Sequence, residues 1–216
     1  MDRRISIYTR TRPARVGQNL ITAGADACFA PTLPMPFPYK DEIKELNNEA
    51  RASAGGSFIQ LRNGVTHYEA GGNESGEIVV LVHGFSVPYF IFDPTFDFLS
   101  QSGFHVLRYD LFGRGFSDRP PTRNDLDFFV RQLAELLDAL HFTRRVNLVG
   151  LSTGGPIASA FTVRRPEQVS KLVLIDPAGA KPIDTAASVR FARVPILAEI
   201  AYGQLGSTNL VNGVAN

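Results

Sequence analysis

The sequence predicts an α/β fold: a mostly parallel sheet with helices on both faces, entered through an N-terminal β-hairpin. Three observations predict it. From Ser57 onward, short apolar strand patterns alternate with helical ones, the order that yields parallel strands joined by helical crossovers. Ile78-Val-Val-Leu-Val82 is apolar without interruption, as expected of a strand covered on both faces. The string Gly150-Leu151-Ser152-Thr153-Gly154 joins a strand pattern directly to a helix pattern. A turn that tight needs tiny side chains next to it, which Gly150 and Gly154 supply.

The elements follow in order. Residues 1–56 read as a basic, proline-rich arm and a helix. Residues 1–39 carry five arginines against two acids, and Pro31, Pro34, Pro36 and Pro38 stiffen an extended stretch. The apolar run Leu20 to Ala30 is broken by Asp26, which argues against a signal peptide. A cytoplasmic location is expected, with secretion or targeting by the basic arm as the weaker alternative. A helix pattern covers Lys40 to Ala54 and stops at Gly55-Gly56. Residues 57–183 form the α/β core. Ser57 to Leu61 and Val65 to Ala70 alternate and are joined by Asn63-Gly64, a hairpin signal. Strands follow at Ile78 to Val82, His105 to Tyr109, Val146 to Val149 and Lys171 to Ile175. The helices between them fall near Asp93 to Gln101, over Asp125 to Leu140, and from the bend to about Arg164. In the second, Leu126, Phe129, Val130, Leu133, Leu136, Leu137 and Leu140 recur at helical spacing. Residues 184–216 read as apolar helices, with Pro195 interrupting the run.

Composition excludes several classes. With 216 residues, 44% hydrophobic, the chain is long enough for one domain with a sizeable core. A net charge of +1 gives no bulk attraction to nucleic acid. No apolar run reaches the length of a membrane span. Cys28 is the only cysteine, so no intrachain disulfide forms, and it reads as an inert side chain. Nothing in the sequence asks for a metal or a cofactor.

The chemistry centres on the bend. Ser152 Oγ would stand at the carboxyl edge of the sheet, above a helix N-terminus whose dipole favours developing negative charge. A carbonyl attacked there needs two preorganised donors. The Thr153 N–H is one, and the Phe85 N–H, after His83-Gly84, is the expected second. Phe85 and Phe90 are candidates to line an acyl pocket. Asp110 reads as a brace for the turn made by Gly113 and Gly115 rather than as a catalytic acid.

Taken together these motifs resemble the α/β-hydrolase family over residues 57 to about 180, and more loosely beyond. His83-Gly84-Phe85 looks like the family's oxyanion loop, with His83 shaping it. Asp110-Leu-Phe-Gly113-Arg114-Gly115-Phe-Ser117 looks like its D-x-x-G-x-G-x-S turn, and Gly150 to Gly154 like its nucleophile elbow. The resemblance implies a sheet of about eight strands and a triad in the order Ser, acid, His. It implies a serine hydrolase acting on carboxylic esters or related acyl compounds. The family's dehalogenases and epoxide hydrolases carry Asp at the elbow. The motifs also lack the H-G-G-G of its hormone-sensitive-lipase branch and the H-G-G-P-G of prolyl aminopeptidases. Monoacylglycerol lipases, carboxylesterases and carbon–carbon bond hydrolases remain.

One part of the pattern is missing. The histidines are His67, His83, His105 and His141, and all precede Ser152. A serine hydroxyl without a base is a weak nucleophile. Asp176, after the last strand pattern, is a weak candidate for the triad acid. Residues 184–216 look like the start of the family's lid, so the fold is expected to be incomplete at its C-terminal side. Three explanations follow: a fragment of a longer hydrolase, a shortened chain with a binding or interaction role, or a fold completed by a second chain. An open sheet edge and an apolar lid start would favour self-association.

Overall fold

The uninterrupted run Ile78–Val82 forms β3, at the centre of a sheet of six strands among the described residues, and all five of its residues are buried. The computed structural model describes residues 46–179. The basic arm, Cys28 and the expected lid helices lie outside them, as do residues 40–45 of the expected helix from Lys40 to Ala54. Within its described residues 46–54 the helix is shorter than expected: α1 (Asn48–Ala52) begins where the Asn47 side chain accepts the Ala50 N–H at 2.9 Å. That cap starts the helix at Asn48.

The other elements are β1 (Ser57–Leu61), β2 (Gly64–Gly72), α2 (Asp93–Gln101), β4 (His105–Tyr109), α3 (Leu126–Ala139), β5 (Val146–Leu151), α4 (Gly154–Arg164) and β6 (Val169–Ile175). The sheet order is β1-β2-β4-β3-β5-β6. β1 pairs antiparallel with β2, and β2 with β4, while the remaining pairs are parallel. Strands and helices therefore fall where the sequence patterns place them, with small shifts. Arg62 and Asn63 form the hairpin loop, because Leu61 pairs directly with Gly64. Neither has a positive φ, so the turn is not the type that Asn-Gly favours. Gly64 instead opens β2 against Asp118, whose carboxylate accepts the Val65 N–H at 2.7 Å.

The two faces of β3 read out the period of a strand. Val79 and Leu81 pack with Phe92, Phe96 and Val106 under α2. Ile78, Val80 and Val82 belong to the larger core with Phe128, Leu133, Leu137, Ile157 and Phe161 from α3 and α4. α3 is capped by Asp125, whose side chain accepts the Phe128 N–H at 2.9 Å. Its inner face differs from the expected stripe. Leu126 in the first turn is 41% exposed, whereas Phe128 and Gln132 are buried. Gln132 earns its place by bonding: its amide donates to Thr66 Oγ1 and the Asp110 carbonyl and accepts the Phe112 N–H.

From β3 the chain moves to β4 on one side, then crosses to β5 on the other. Strand order reverses there, and such reversals open a crevice at the carboxyl ends of the strands. On β6, which among the described strands pairs with β5 alone, Leu172 to Ile175 remain 36–49% exposed. Among the described residues no helix is long and apolar enough to cross a membrane.

Candidate active site

β5 delivers Ser152 to the carboxyl end of the strands, and the serine sits in the left-handed region at φ 50°. Its own backbone is held on both sides. The Ser152 N–H donates to the Ile175 carbonyl at 3.0 Å, and its carbonyl accepts from Gly155 at 3.0 Å and Ala178 at 2.9 Å. These bonds overdetermine a conformation that a non-glycine residue resists. Gly150 and Gly154 make the bend passable. A Cβ on Gly150 would lie 2.5 Å from the Gly154 carbonyl oxygen, and one on Gly154 would overlap the Val82 oxygen.

The loop after β3 passes directly against the serine. A Cβ on Gly84 would stand 3.1 Å from Ser152 Cβ and 3.6 Å from its Oγ. His83, at the root of that loop, is fully buried. Its Nε2 accepts the Leu111 N–H at 2.9 Å, so the ring proton is on Nδ1, 2.7 Å from the Gly84 carbonyl oxygen. Burial pushes its pKa below the ordinary histidine value, with the Asp110 carboxylate pulling the other way. The peptide from Gly84 to Phe85 is trans, so fixing the Gly84 oxygen also aims the Phe85 N–H. Neither that N–H nor the Thr153 N–H at the start of α4 has an acceptor among the described residues.

Phe85 is 60% exposed and Phe90 39% exposed, whereas Tyr89 and Phe92 beside them are buried. Arg114 donates from Nε to the Phe85 carbonyl at 2.9 Å, and its guanidinium lies 4.3 Å from the Phe85 ring centroid.

Asp110 is buried at the end of β4. Its Oδ1 accepts from Tyr89 N at 2.9 Å, and its Oδ2 from Phe116 N at 3.0 Å and His67 Nδ1 at 2.8 Å. Those contacts tie the carboxylate to its turn, which carries Gly113 at φ 81° and Gly115 at φ 48°. Asp176 follows β6 at φ 42° and is exposed. The bonds from Ser152 to Ile175 and Ala178 place its backbone beside the bend.

None of the four histidines reaches the serine with an open nitrogen. His67 and His83 have both nitrogens engaged. His105 begins β4 and His141 precedes β5, at the opposite end of the strands from Ser152. The sequence reading missed two features, the His67–Asp110 pair and the Arg114 contact with Phe85. The only advance signal was a histidine in an otherwise half-buried strand. Its partner becomes visible only once β2 is registered against β4.

A family model of the alpha/beta hydrolase fold matches residues 77–207. Epoxide hydrolase 3 of Xenopus tropicalis is 31% identical over 112 residues, 51% of this chain and 30% of that protein. Lipase 3 of a Moraxella species is 33% identical over 113 residues, 52% of this chain and 35% of that one. Among solved structures, an esterase from Exiguobacterium antarcticum superposes with a TM-score of 0.53 at 31% identity, covering 57% of this chain and 46% of that chain. The chain thus spans about a third of the length of the two curated relatives.

Proposed function

Because the chain belongs to the alpha/beta hydrolase fold family, we propose that it is a serine-hydrolase scaffold for carboxylic esters or related small acyl compounds. Ser152 Oγ bonds to the acyl carbon as its proton passes to solvent water, the N–H groups of Thr153 and Phe85 take up the oxyanion, and the bond to the leaving group then breaks, the leaving oxygen taking a proton from solvent. The observation that carries this reading is the serine held at φ 50° with Gly84 packed against its side chain. A serine at the bend favours acyl over epoxide substrates, although an epoxide hydrolase is among the similar proteins. Phe85 and Phe90 supply apolar surface for the acyl group.

A second reading has its own support. All four histidines are engaged elsewhere or lie at the far end of the strands. A non-catalytic binding or interaction protein that keeps the scaffold would look the same. Removing a triad member leaves about 10³–10⁴-fold catalysis over water in well-studied cases. The hydrolase reading therefore expects reaction with strongly activated probes before turnover of ordinary esters. A fluorophosphonate probe separates the readings. Labelling of the folded chain that disappears in Ser152→Ala supports the hydrolase, and no labelling of folded protein supports the binding role.

A further inference from the structure

We propose that Arg114 is a positioning residue for the oxyanion loop, fixing Phe85 so that its N–H faces Ser152. The inference rests on the serine-hydrolase reading and deepens it. Burial does not hold Phe85, since the residue is 60% exposed. Backbone pairing does not hold it either: among the described residues, no backbone N–H from Gly84 to Val87 donates to a backbone carbonyl. Two side chains do the holding instead. His83 bonds the Gly84 carbonyl at 2.7 Å and so fixes the peptide plane that carries the Phe85 N–H. Arg114 bonds the next carbonyl, that of Phe85, at 2.9 Å and covers the Phe85 ring at 4.3 Å. With the planes on both sides of its Cα fixed, Phe85 has little torsional freedom left.

Arg114 is itself rigidly based. It lies between Gly113 at φ 81° and Gly115 at φ 48°, and its N–H donates to the Leu111 carbonyl at 2.9 Å. The guanidinium suits both contacts, because a flat cation lies on a ring while a separate N–H bonds in its plane. A lysine ammonium cannot do both. The turn after β4 thereby reaches 29 residues back along the chain to the loop after β3.

The test uses the full chain, with the fluorophosphonate probe resolved into its binding constant and its bonding rate constant, alongside backbone nitrogen NMR order parameters, which read loop rigidity directly. In Arg114→Met the bonding rate constant should fall about tenfold or more, short of the 10²–10³ lost when an oxyanion donor is deleted. The binding constant and melting temperature should stay put, and the order parameters at residues 85–87 should fall. Arg114→Lys should show a smaller loss in the same direction, and it carries the test if the methionine variant does not fold. Wild-type bonding rates in the folded variants overturn the inference. If the wild-type chain is never labelled, the hydrolase reading fails, and the order parameters decide the rest. Unchanged order parameters at residues 85–87 then overturn the role of Arg114, and lower values uphold its hold on the loop.

Discussion

His67 and Asp110 form a buried pair, Nδ1 to Oδ2 at 2.8 Å, that fastens β2 to the turn following β4. Phe58 and Tyr89 stack on the two sides of the imidazole at 4.7 Å each, and Phe116 meets it edge-on at 5.3 Å. Its Nε2 lies 2.6 Å from the Gly55 carbonyl oxygen. The backbone joins in: Asp110 N donates to the His67 carbonyl, and Ser117 Oγ links His67 N to the Asp110 carbonyl. The turn that carries Arg114 is therefore seated on the hairpin.

These bonds argue for a structural role of Asp110, whose loss is expected to show in stability. Asp110→Ala would leave the His67 ring nitrogen and the Tyr89 and Phe116 amides without their acceptor. Breaking a buried pair of this kind costs about 3–5 kcal/mol. Asp110→Asn keeps the shape and one acceptor oxygen, and should cost less, about 1–3 kcal/mol. Urea denaturation with an unchanged m-value measures both. A fully stable Asp110→Asn that loses probe labelling would contradict this role and make Asp110 a candidate catalytic acid.

His83 gives the fold a dependence on pH. Burial holds its pKa below the ordinary value of 6.5, so the folded chain refuses a proton that the unfolded chain accepts. The stabilisation from this site is fully present above about pH 6.5 and is lost as the pH falls below it. One such group contributes a slope of at most about 1.4 kcal/mol per pH unit. Unfolding free energies of the wild type and His83→Asn, measured between pH 7 and pH 5, should converge as the solution is acidified. Parallel curves would show that His83 is not the titrating group.

Most of the fold was legible because local patterns carried it. The run Ile78–Val82 needs cover on both faces and has it. The apolar spacing of α3 and the glycines around Ser152 each point to one local conformation. What stayed illegible depends on register between distant segments. Position 67 meets position 110 only when Tyr68 pairs with Tyr109. Gln132 is polar in an apolar stripe, yet buried, because it links Thr66, Asp110 and Phe112. Leu126 fits the stripe and is exposed, because the first turn of α3 is not covered. The contact between Arg114 and Phe85 joins two loops that no periodicity relates.

The bend itself offers a trade between stability and chemistry. Ser152 is held at φ 50°, a region that costs a residue with a Cβ about 1–2 kcal/mol and costs glycine little. Glycine also loses more freedom on folding, about 0.5–1 kcal/mol relative to alanine, which offsets part of the gain. Ser152→Ala keeps the Cβ and therefore the strain. Ser152→Gly is thus expected to be more stable than Ser152→Ala by up to about 1 kcal/mol. Both variants lose probe labelling, since neither carries a hydroxyl. The comparison isolates backbone strain because Ser152 Oγ has no hydrogen-bond partner among the described residues whose loss would confuse it. Equal stability of the two variants in chemical denaturation would mean that the bend is not strained in solution, and the main physical support for a nucleophile at this position would go with it.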